Sequence, residues 1–317
     1  MIKRKIGNSP LEVAPLAFGG NVFGWTISES TSFQLLDAFT DHGFNLVDTA
    51  DVYSRWKEGN TGGESETIIG KWLKQRGGRD KVIIATKVGM EMSPTEVGLS
   101  KAYILKEVEA SLKRLQTDYI DLYQSHKDDP NTPIEETLEA YSILVKQGKV
   151  RIIGASNFTA ERLQESLYIS AKNKFPVYQC LQPEYNMYAR NDYETTLEQF
   201  CIKNKLGVIP FYGLAKGFLS GKYRTVADIS KSIHGAGVAK KYLNDRGIKI
   251  LNALEETANH YSVSMATIAI AWLASRPSIT APIASATNLE QLKELMKSAE
   301  IKLDSILLEK LNTASSY

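Results

Sequence analysis

Eight short apolar, largely β-branched runs recur along this chain, each followed by a stretch too long for a hairpin turn: Leu16 to Phe18, Asn45 to Val47, Val82 to Ala85, Tyr119 to Tyr123, Arg151 to Ala155, Tyr178 to Leu181, Leu206 to Pro210 and Ile279 to Pro282. Between them apolar residues fall at helical spacing, as in Phe33, Leu36 and Phe39, or Ile104, Val108, Leu112 and Leu115, or Leu138, Tyr141 and Val145. Strands alternating with helices run parallel, because each crossover returns the chain to the same end of the sheet. Eight such units in 317 residues fit a closed (β/α)8 TIM barrel of the α/β class better than an open doubly wound sheet. The open sheet also lacks its usual fingerprint: no GxGxxG follows an early strand, and Gly-Gly-Asn-Val-Phe-Gly at 19 to 24 has the wrong spacing. Residues 1–317 therefore read as a single barrel domain.

Punctuation supports the same architecture. Gly77-Gly78 ends one helix, Pro133 opens another, Gly148 closes it, and Gly207 precedes the seventh strand. From Lys3 to Leu16, an Asn8-Ser9-Pro10 turn between two short arms predicts an N-terminal β-hairpin that plugs the bottom of the barrel. An extra C-terminal helix is expected at the other end of the chain. The interval from Phe211 to Ile279 predicts a glycine-rich loop and two helices, around Arg246 to Tyr261 and Met265 to Ala274, with little else. Long barrel loops commonly cover an active site.

Charge and cysteine content remove several function classes. Thirty-eight basic residues against 36 acidic ones leave a net charge of +2, with no run of five like charges and no basic stripe interleaved with aromatics, so no nucleic-acid partner is expected. No apolar run approaches the about 20 residues that cross a bilayer. The opening Met1-Ile2-Lys3-Arg4-Lys5 lacks the apolar stretch of a secretion signal, so a cytoplasmic location away from membranes is expected. Cys180 and Cys201 have neither CxxC spacing nor histidines placed beside them, which predicts two reduced, packed thiols and no metal.

In a TIM barrel the chemistry sits at the C-terminal ends of the strands, so the polar groups that end the apolar runs are the candidates. The second run ends in Asp48, the third leads through Thr86 into Lys87, the fourth delivers His126, and Tyr53 follows Asp48 by five residues. Taken singly, each has a structural explanation: a turn cap, a loop charge, a rim histidine, an apolar wall. Together, just past three consecutive strand ends, they form a proton-transfer set. A phenol with a pKa of about 10 needs a neighbouring cation to work near neutrality, and Lys87 can supply it. Asp48 can keep that lysine charged against desolvation, while His126 can hydrogen-bond a carbonyl oxygen as Tyr53 gives it a proton.

Asn45-Leu46-Val47-Asp48-Thr49-Ala50-Asp51-Val52-Tyr53 followed by Gly63-Glu64-Ser65-Glu66, then Thr86-Lys87, Asp121-Leu122-Tyr123-Gln124-Ser125-His126 and Gly154-Ala155-Ser156-Asn157-Phe158, resemble the hallmarks of the aldo-keto reductase superfamily, in family order and over nearly the whole chain. The resemblance implies a catalytic tetrad of Asp48, Tyr53, Lys87 and His126. It also implies a nicotinamide cofactor. Ser156, Asn157 and Gln182 match the residues that hold the carboxamide, and Phe211, with Tyr212 in reserve, matches the aromatic under the ring. Gly20, Asn21 and Asp48 complete the cofactor set at the mouth.

Gly213, Leu214, Lys216, Gly217 and Lys222 lie in a glycine-rich basic loop suited to a pyrophosphate, in the part of a barrel where phosphates bind. Ser285, Thr287 and Gln291 match the adenosine-phosphate segment, but they stand where many relatives carry an arginine or lysine for the 2′-phosphate. Potassium-channel β subunits in the superfamily have a similarly uncharged segment, and the lysine corresponding to Lys222 helps them retain NADP. NADPH is therefore expected, with reduced selectivity over NADH.

The resemblance implies NADPH-dependent reduction of a small aldehyde or ketone to an alcohol, with Tyr53 as acid and base. The alternative is a cofactor-sensing regulatory subunit with little turnover; His126, present where the channel subunits carry asparagine, counts against it. A barrel hydrolase with paired carboxylates is weaker, since Asp48 is the only well-placed strand-end acid in the first four strands. The physiological substrate depends on loop residues such as Trp25, Trp56 and the segment from Met90 to Leu99, and neither it nor the oligomeric state is legible.

Overall fold

A computed structural model describes residues 1–231 and 235–317. The chain begins with the expected hairpin, β1 (Arg4–Lys5) paired antiparallel with β2 (Glu12–Val13). Eight parallel strands follow: β3 (Ala17–Gly19), β4 (Leu46–Asp48), β5 (Ile83–Val88), β6 (Ile120–Ser125), β7 (Val150–Ser156), β8 (Tyr178–Gln182), β9 (Gly207–Val208) and β10 (Ile283–Ala284). Each neighbours the next in chain order, and β10 returns to lie beside β3. The remaining seam closes through Thr280 N–H to Val208 O at 2.8 Å and Ile283 N–H to Pro210 O at 2.9 Å. The result is the (β/α)8 barrel expected from the alternation.

Helices α1 (Glu29–Asp41), α2 (Glu64–Arg76), α3 (Lys101–Leu115), α4 (Ile134–Lys146), α5 (Ala160–Asn173) and α6 (Glu198–Asn204) cover the sheet, followed by α7 (Gly235–Tyr242), α8 (Asp245–Tyr261), α9 (Met265–Ser275), α10 (Leu289–Lys297) and the extra C-terminal α11 (Ser305–Ala314). In α3 the local logic is plain. Ser100 accepts the Tyr103 N–H at the N-terminus, and the buried stripe of Ile104, Val108, Leu112 and Leu115 faces the core. Gln116, at φ 51, ends the helix in the left-handed region.

The hairpin closes the N-terminal mouth. Ile6, Leu11 and Val13 are buried in one cluster with the barrel's axial residues. Gly7 makes that docking feasible: its φ is 58, and a Cβ there would come 2.4 Å from the Gln179 carbonyl oxygen.

Three expectations need correction. Gly207 does not precede the seventh barrel strand; it is the first residue of β9. The last strand lies at Ile283–Ala284, beyond the apolar run at 279 to 282, because the first part of that run makes the seam contacts with Val208 rather than pairing with β3. The interval from Phe211 to Ile279 also holds more than two helices. It adds α7, whose Val238 and Tyr242 are buried, with the Phe218 and Tyr242 rings stacked at 5.2 Å. That helix was hidden by its small residues, since Gly-Ala-Gly carries little periodic signal.

Among the described residues no helix is long and apolar enough to cross a membrane, and no group of three or more His, Cys, Asp or Glu side chains is arranged to hold a metal ion. Cys180 and Cys201 are buried free thiols.

Candidate active site

Alternate residues of a barrel strand face the axis. The lower axial layers are apolar: Ala17, Leu46, Ile83, Ala85, Leu122, Ile152, Cys180, Ile209 and Ile283 form one cluster. Two residues further along the same strands the axial positions become Asp48, Lys87, Gln124 and Gln182, with Phe211 packed against the cluster from above. The polar set thus stands on an apolar floor at the C-terminal mouth.

At its centre the completely buried Lys87 ammonium uses all three protons. They go to Asp48 Oδ2 at 2.7 Å, to the Thr49 carbonyl at 2.7 Å and to the Tyr53 hydroxyl at 2.9 Å. The Tyr53 hydroxyl is also 3.4 Å from Asp48 Oδ2. Asp48 Oδ1 accepts from Gln182 Nε2 at 2.8 Å and, at the 3.5 Å limit, from Gln124 Nε2. The His126 ring lies edge-on to Tyr53 with centroids 5.9 Å apart. Asp48, Tyr53, Lys87 and His126 therefore share one compartment.

The loop that carries Tyr53 is built by continued strand pairing. Thr49 N–H donates to Ala85 O and Asp51 N–H to Lys87 O, so the chain runs alongside β5 past the end of β4 before turning at Tyr53. Ser54, at φ 76, makes the turn, and its hydroxyl anchors it to the Phe23 carbonyl. Asn60 pins the loop by donating to the carbonyls of Gly24 and Ser54. His126 extends the neighbouring ladder through its N–H to Val88 O at 2.8 Å.

Burial governs the protonation of the set. It lowers Lys87 from the ordinary lysine value, against the opposing pull of Asp48. Burial first, and the Lys87 charge second, hold His126 well below the ordinary imidazole value, so its ring is neutral. Burial and the Asp48 charge push Tyr53 well above 10. The expected easing of Tyr53 toward phenolate is therefore not what the site does: desolvation disfavours the phenolate, and the phenol keeps its proton.

The candidate cofactor residues ring the same mouth. Ser285, just past β10, donates to the Gly19 carbonyl at 2.8 Å and sits 2.6 Å from Asn21 Oδ1; Gly20 starts the short turn between them. Ser156 donates to the Gln182 carbonyl at 2.9 Å, and the exposed Asn157, at φ 57, donates to Ser156 Oγ and to the His126 carbonyl, each at 3.0 Å. The Phe211 and Tyr212 rings meet at 5.0 Å, and Tyr212 is turned outward by a φ of 55. Gly213 is buried against Ile270 and the Ile283 carbonyl, and Leu214 packs on the core.

Ala215, Lys216 and Gly217 are successive left-handed residues, and the Ala215 and Gly217 N–H groups close the turn by donating to the Tyr212 and Leu214 carbonyls. Lys222 bends over Gly217, where a Cβ would be 3.0 Å from its Nζ. Thr287 donates through both its N–H and its hydroxyl to Gln291 Oε1, so that Gln291 folds onto its own loop. A tight turn carrying Lys216, with Lys222 folded against it, thus follows Phe211 and Tyr212.

Sequence reading passed over two contributors. Gln124 was legible in principle: it alternates with Leu122 on β6 and with His126 just past the strand end, and so faces the axis. The Thr49 carbonyl, a main-chain acceptor, leaves no side-chain signal. Trp56, 49% exposed, lies 5.9 Å from the Tyr53 ring, and Trp25 meets it edge-on at 5.3 Å, so these two line one side of the mouth.

The sequence model of the Aldo/keto reductase family matches residues 15–315. The chain is 36% identical over 315 residues to "Uncharacterized oxidoreductase YrpG" of Bacillus subtilis, covering 97% of this chain and 94% of that protein. It is 34% identical over 304 residues to "Aldo-keto reductase YhdN" of the same organism, covering 94% and 87%. It is also 32% identical over 319 residues to "Probable voltage-gated potassium channel subunit beta" of Arabidopsis thaliana, covering 97% and 94%.

Proposed function

The chain belongs to the aldo/keto reductase family, whose members are oxidoreductases acting on carbonyls, and from that premise we propose that it reduces a small aldehyde or ketone to the alcohol with NADPH, Tyr53 serving as general acid and, in reverse, as base. The observation that carries this reading is the contact of the Lys87 ammonium with both Asp48 at 2.7 Å and the Tyr53 hydroxyl at 2.9 Å, beside the His126 ring.

Bound at the mouth, the reduced nicotinamide supplies the hydride. The rest is done by the chain's own side chains. Neutral His126 donates a ring N–H to the carbonyl oxygen, which orients the substrate and takes up part of the charge that develops there. Tyr53 then passes its proton to that oxygen. Its raised pKa does not obstruct the step, because an alkoxide is a far stronger base than a phenolate, and the high value keeps the acid loaded beforehand. Lys87, kept charged by Asp48, stabilises the phenolate left behind. The apolar layer below and Trp56 beside the phenol limit the water that would weaken these interactions.

Phe211 offers its ring face to the nicotinamide, with Tyr212 in reserve, while Ser156, Asn157 and Gln182 meet the carboxamide. Gly20, Asn21 and Asp48 border the same space. The turn from Gly213 through Gly217, with Lys216 and Lys222, takes the pyrophosphate, and Ser285, Thr287 and Gln291 the adenosine end. With no cation among those last three, NADPH is preferred over NADH only modestly. Fluorescence titration giving equal affinity for the two would overturn that preference. Steady-state oxidation of NADPH with a panel of neutral aldehydes tests the function. Turnover supports it; tight cofactor binding with no turnover on any of them would favour a cofactor-sensing subunit instead.

A further inference from the structure

Beside the Asp48–Lys87 pair, in the same axial layer, lie two glutamine amides whose arrangement goes beyond filling space. Gln182 Nε2 has two protons, and both are used: one goes to Asp48 Oδ1 at 2.8 Å, the other to Gln124 Oε1 at 3.3 Å. Gln124 Nε2 points back to the same Asp48 oxygen at 3.5 Å. The three groups close a ring in which Gln124 fixes which way the Gln182 amide is turned. With that orientation Gln182 presents a donor, not its carbonyl, to the carboxylate.

The fold makes room for Gln124 on purpose of geometry. It is the register partner of Lys87 across β5 and β6, and its other neighbour, on β7, is Gly154. A Cβ on Gly154 would come 3.0 Å from Gln124 Cγ, and Cys180 Sγ, 4.0 Å from Gln124 Oε1, closes the site from below. Gln124 is fully buried, as is Lys87. A buried carboxylate with few donors tends to take a proton from its partner amine, leaving a neutral pair.

We infer that Gln124 is a positioning residue: interlocked with Gln182, it holds Asp48 as a carboxylate with Oδ2 turned to Lys87, and so keeps the Lys87 ammonium charged beneath Tyr53. The inference rests on the reading of Tyr53 as acid and Lys87 as its cation. The ionisable groups within electrostatic reach of Lys87 are Asp48, Tyr53, Asp51, His126 and Cys180; Gln124 acts on it only through Asp48.

Gln124→Leu and Gln124→Met keep most of the volume and remove both hydrogen bonds. The readouts are the melting temperature, NADPH affinity, kcat and KM for an aldehyde, and the titration of Lys87 followed by NMR at its Cε, assigned by the signal lost in Lys87→Met. Both variants are expected to bind NADPH within about threefold of the parent and to keep KM, while kcat falls about tenfold, the worth of a hydrogen bond to a charged group. The Lys87 titration and the alkaline limb of kcat should both move down by about one pH unit. Should both variants be recovered unfolded, Gln124→Asn, whose amide is one methylene short, is expected to give the same shifts at reduced size.

A folded variant with an unmoved Lys87 titration and unchanged kcat overturns the inference. A drop in kcat that leaves both titrations in place does so equally, since it assigns Gln124 to packing alone. If the Lys87 titration shifts but the parent protein reduces no carbonyl, the positioning role stands and the proposed function falls.

Discussion

Strand β5 carries a buried charged cluster on each of its two faces, and the contrast between them separates chemistry from architecture. Toward the axis stand Lys87 and Asp48, one cation and one anion, every ammonium proton accepted and both carboxylate oxygens supplied with donors. Toward the helices, Thr86 donates to Glu66, which also takes Arg114 Nε at 2.6 Å, and the same guanidinium reaches Glu107. Asp51 stands within electrostatic reach of these groups, fully buried, with Oδ2 lacking a hydrogen-bond partner among the described residues. That makes three carboxyl groups for one arginine. The axial cluster is balanced and opens onto Tyr53; the outer one is overloaded with acid and faces the helix layer.

Balance and access are what a proton-transfer site requires. An acid surplus in a largely buried place instead favours a proton on one member. Burial, then Glu66 and Glu107, raise Asp51 well above the ordinary carboxyl value, and burial raises Glu107 as well. Arg114 joins α2 to α3 under the Tyr53 loop, where its side chain lies against Gly63 so closely that a Cβ there would be 2.4 Å away. Its task is to hold the wall behind the site.

The sharpest way to break this contrast is Lys87→Met. It removes the cation from Tyr53 and strands Asp48, so carbonyl reduction should drop by about 10³-fold or more and unfolding should become easier by about 3–5 kcal/mol, read from turnover and urea denaturation. Next comes Arg114→Met. Two buried carboxylates lose their partner, and stability should fall by a similar 3–5 kcal/mol, whereas kcat per folded molecule should stay within about threefold. A collapse of kcat in a folded Arg114→Met protein would place the outer cluster in the chemistry and erase the distinction.

The smallest effect is a matter of pH. Asp51 is raised in the folded state, so the native protein binds more protons than the unfolded chain between pH 3.8 and the folded value, and this group's contribution to stability declines as pH rises through that window. Asp51→Asn removes that ionisation. Urea midpoints measured from pH 5 to pH 8 should therefore change less with pH in the variant than in the parent. An equal slope in the two proteins would mean that Asp51 does not carry the extra proton.

Much of this was legible beforehand because the barrel obeys two periods at once. Alternation along the strands placed Asp48, Lys87 and His126 at the mouth, and the helical spacing of Ile104, Val108, Leu112 and Leu115 fixed the face that α3 buries. What escaped detection has physical causes. Gln124 carries no charge, so it drew no notice in an apolar run, although its position faces the axis. α7 is too rich in small residues to show a stripe, and the seam between Val208 and Thr280 depends on contacts 72 residues apart in sequence, beyond any local pattern. The upward shift of Tyr53 was missed because desolvation depends on packing, whereas a neighbouring cation can be guessed from spacing. The outer cluster was invisible for a related reason: Asp51 after β4, Glu66 on α2 and the Glu107 and Arg114 pair on α3 lie on three separate stretches and meet only in three dimensions.

The most direct test of Tyr53 as the acid is a single turnover with the cofactor loaded in advance. NADPH is bound to the parent protein and to Tyr53→Phe, each complex is mixed rapidly with an aldehyde, and the loss of nicotinamide absorbance is followed. The account predicts prompt oxidation by the parent and a rate lower by about 10³-fold or more in Tyr53→Phe, with NADPH affinity within about threefold, because the phenyl ring keeps the packing but has no proton to give. Oxidation by Tyr53→Phe at the parent's rate would contradict it.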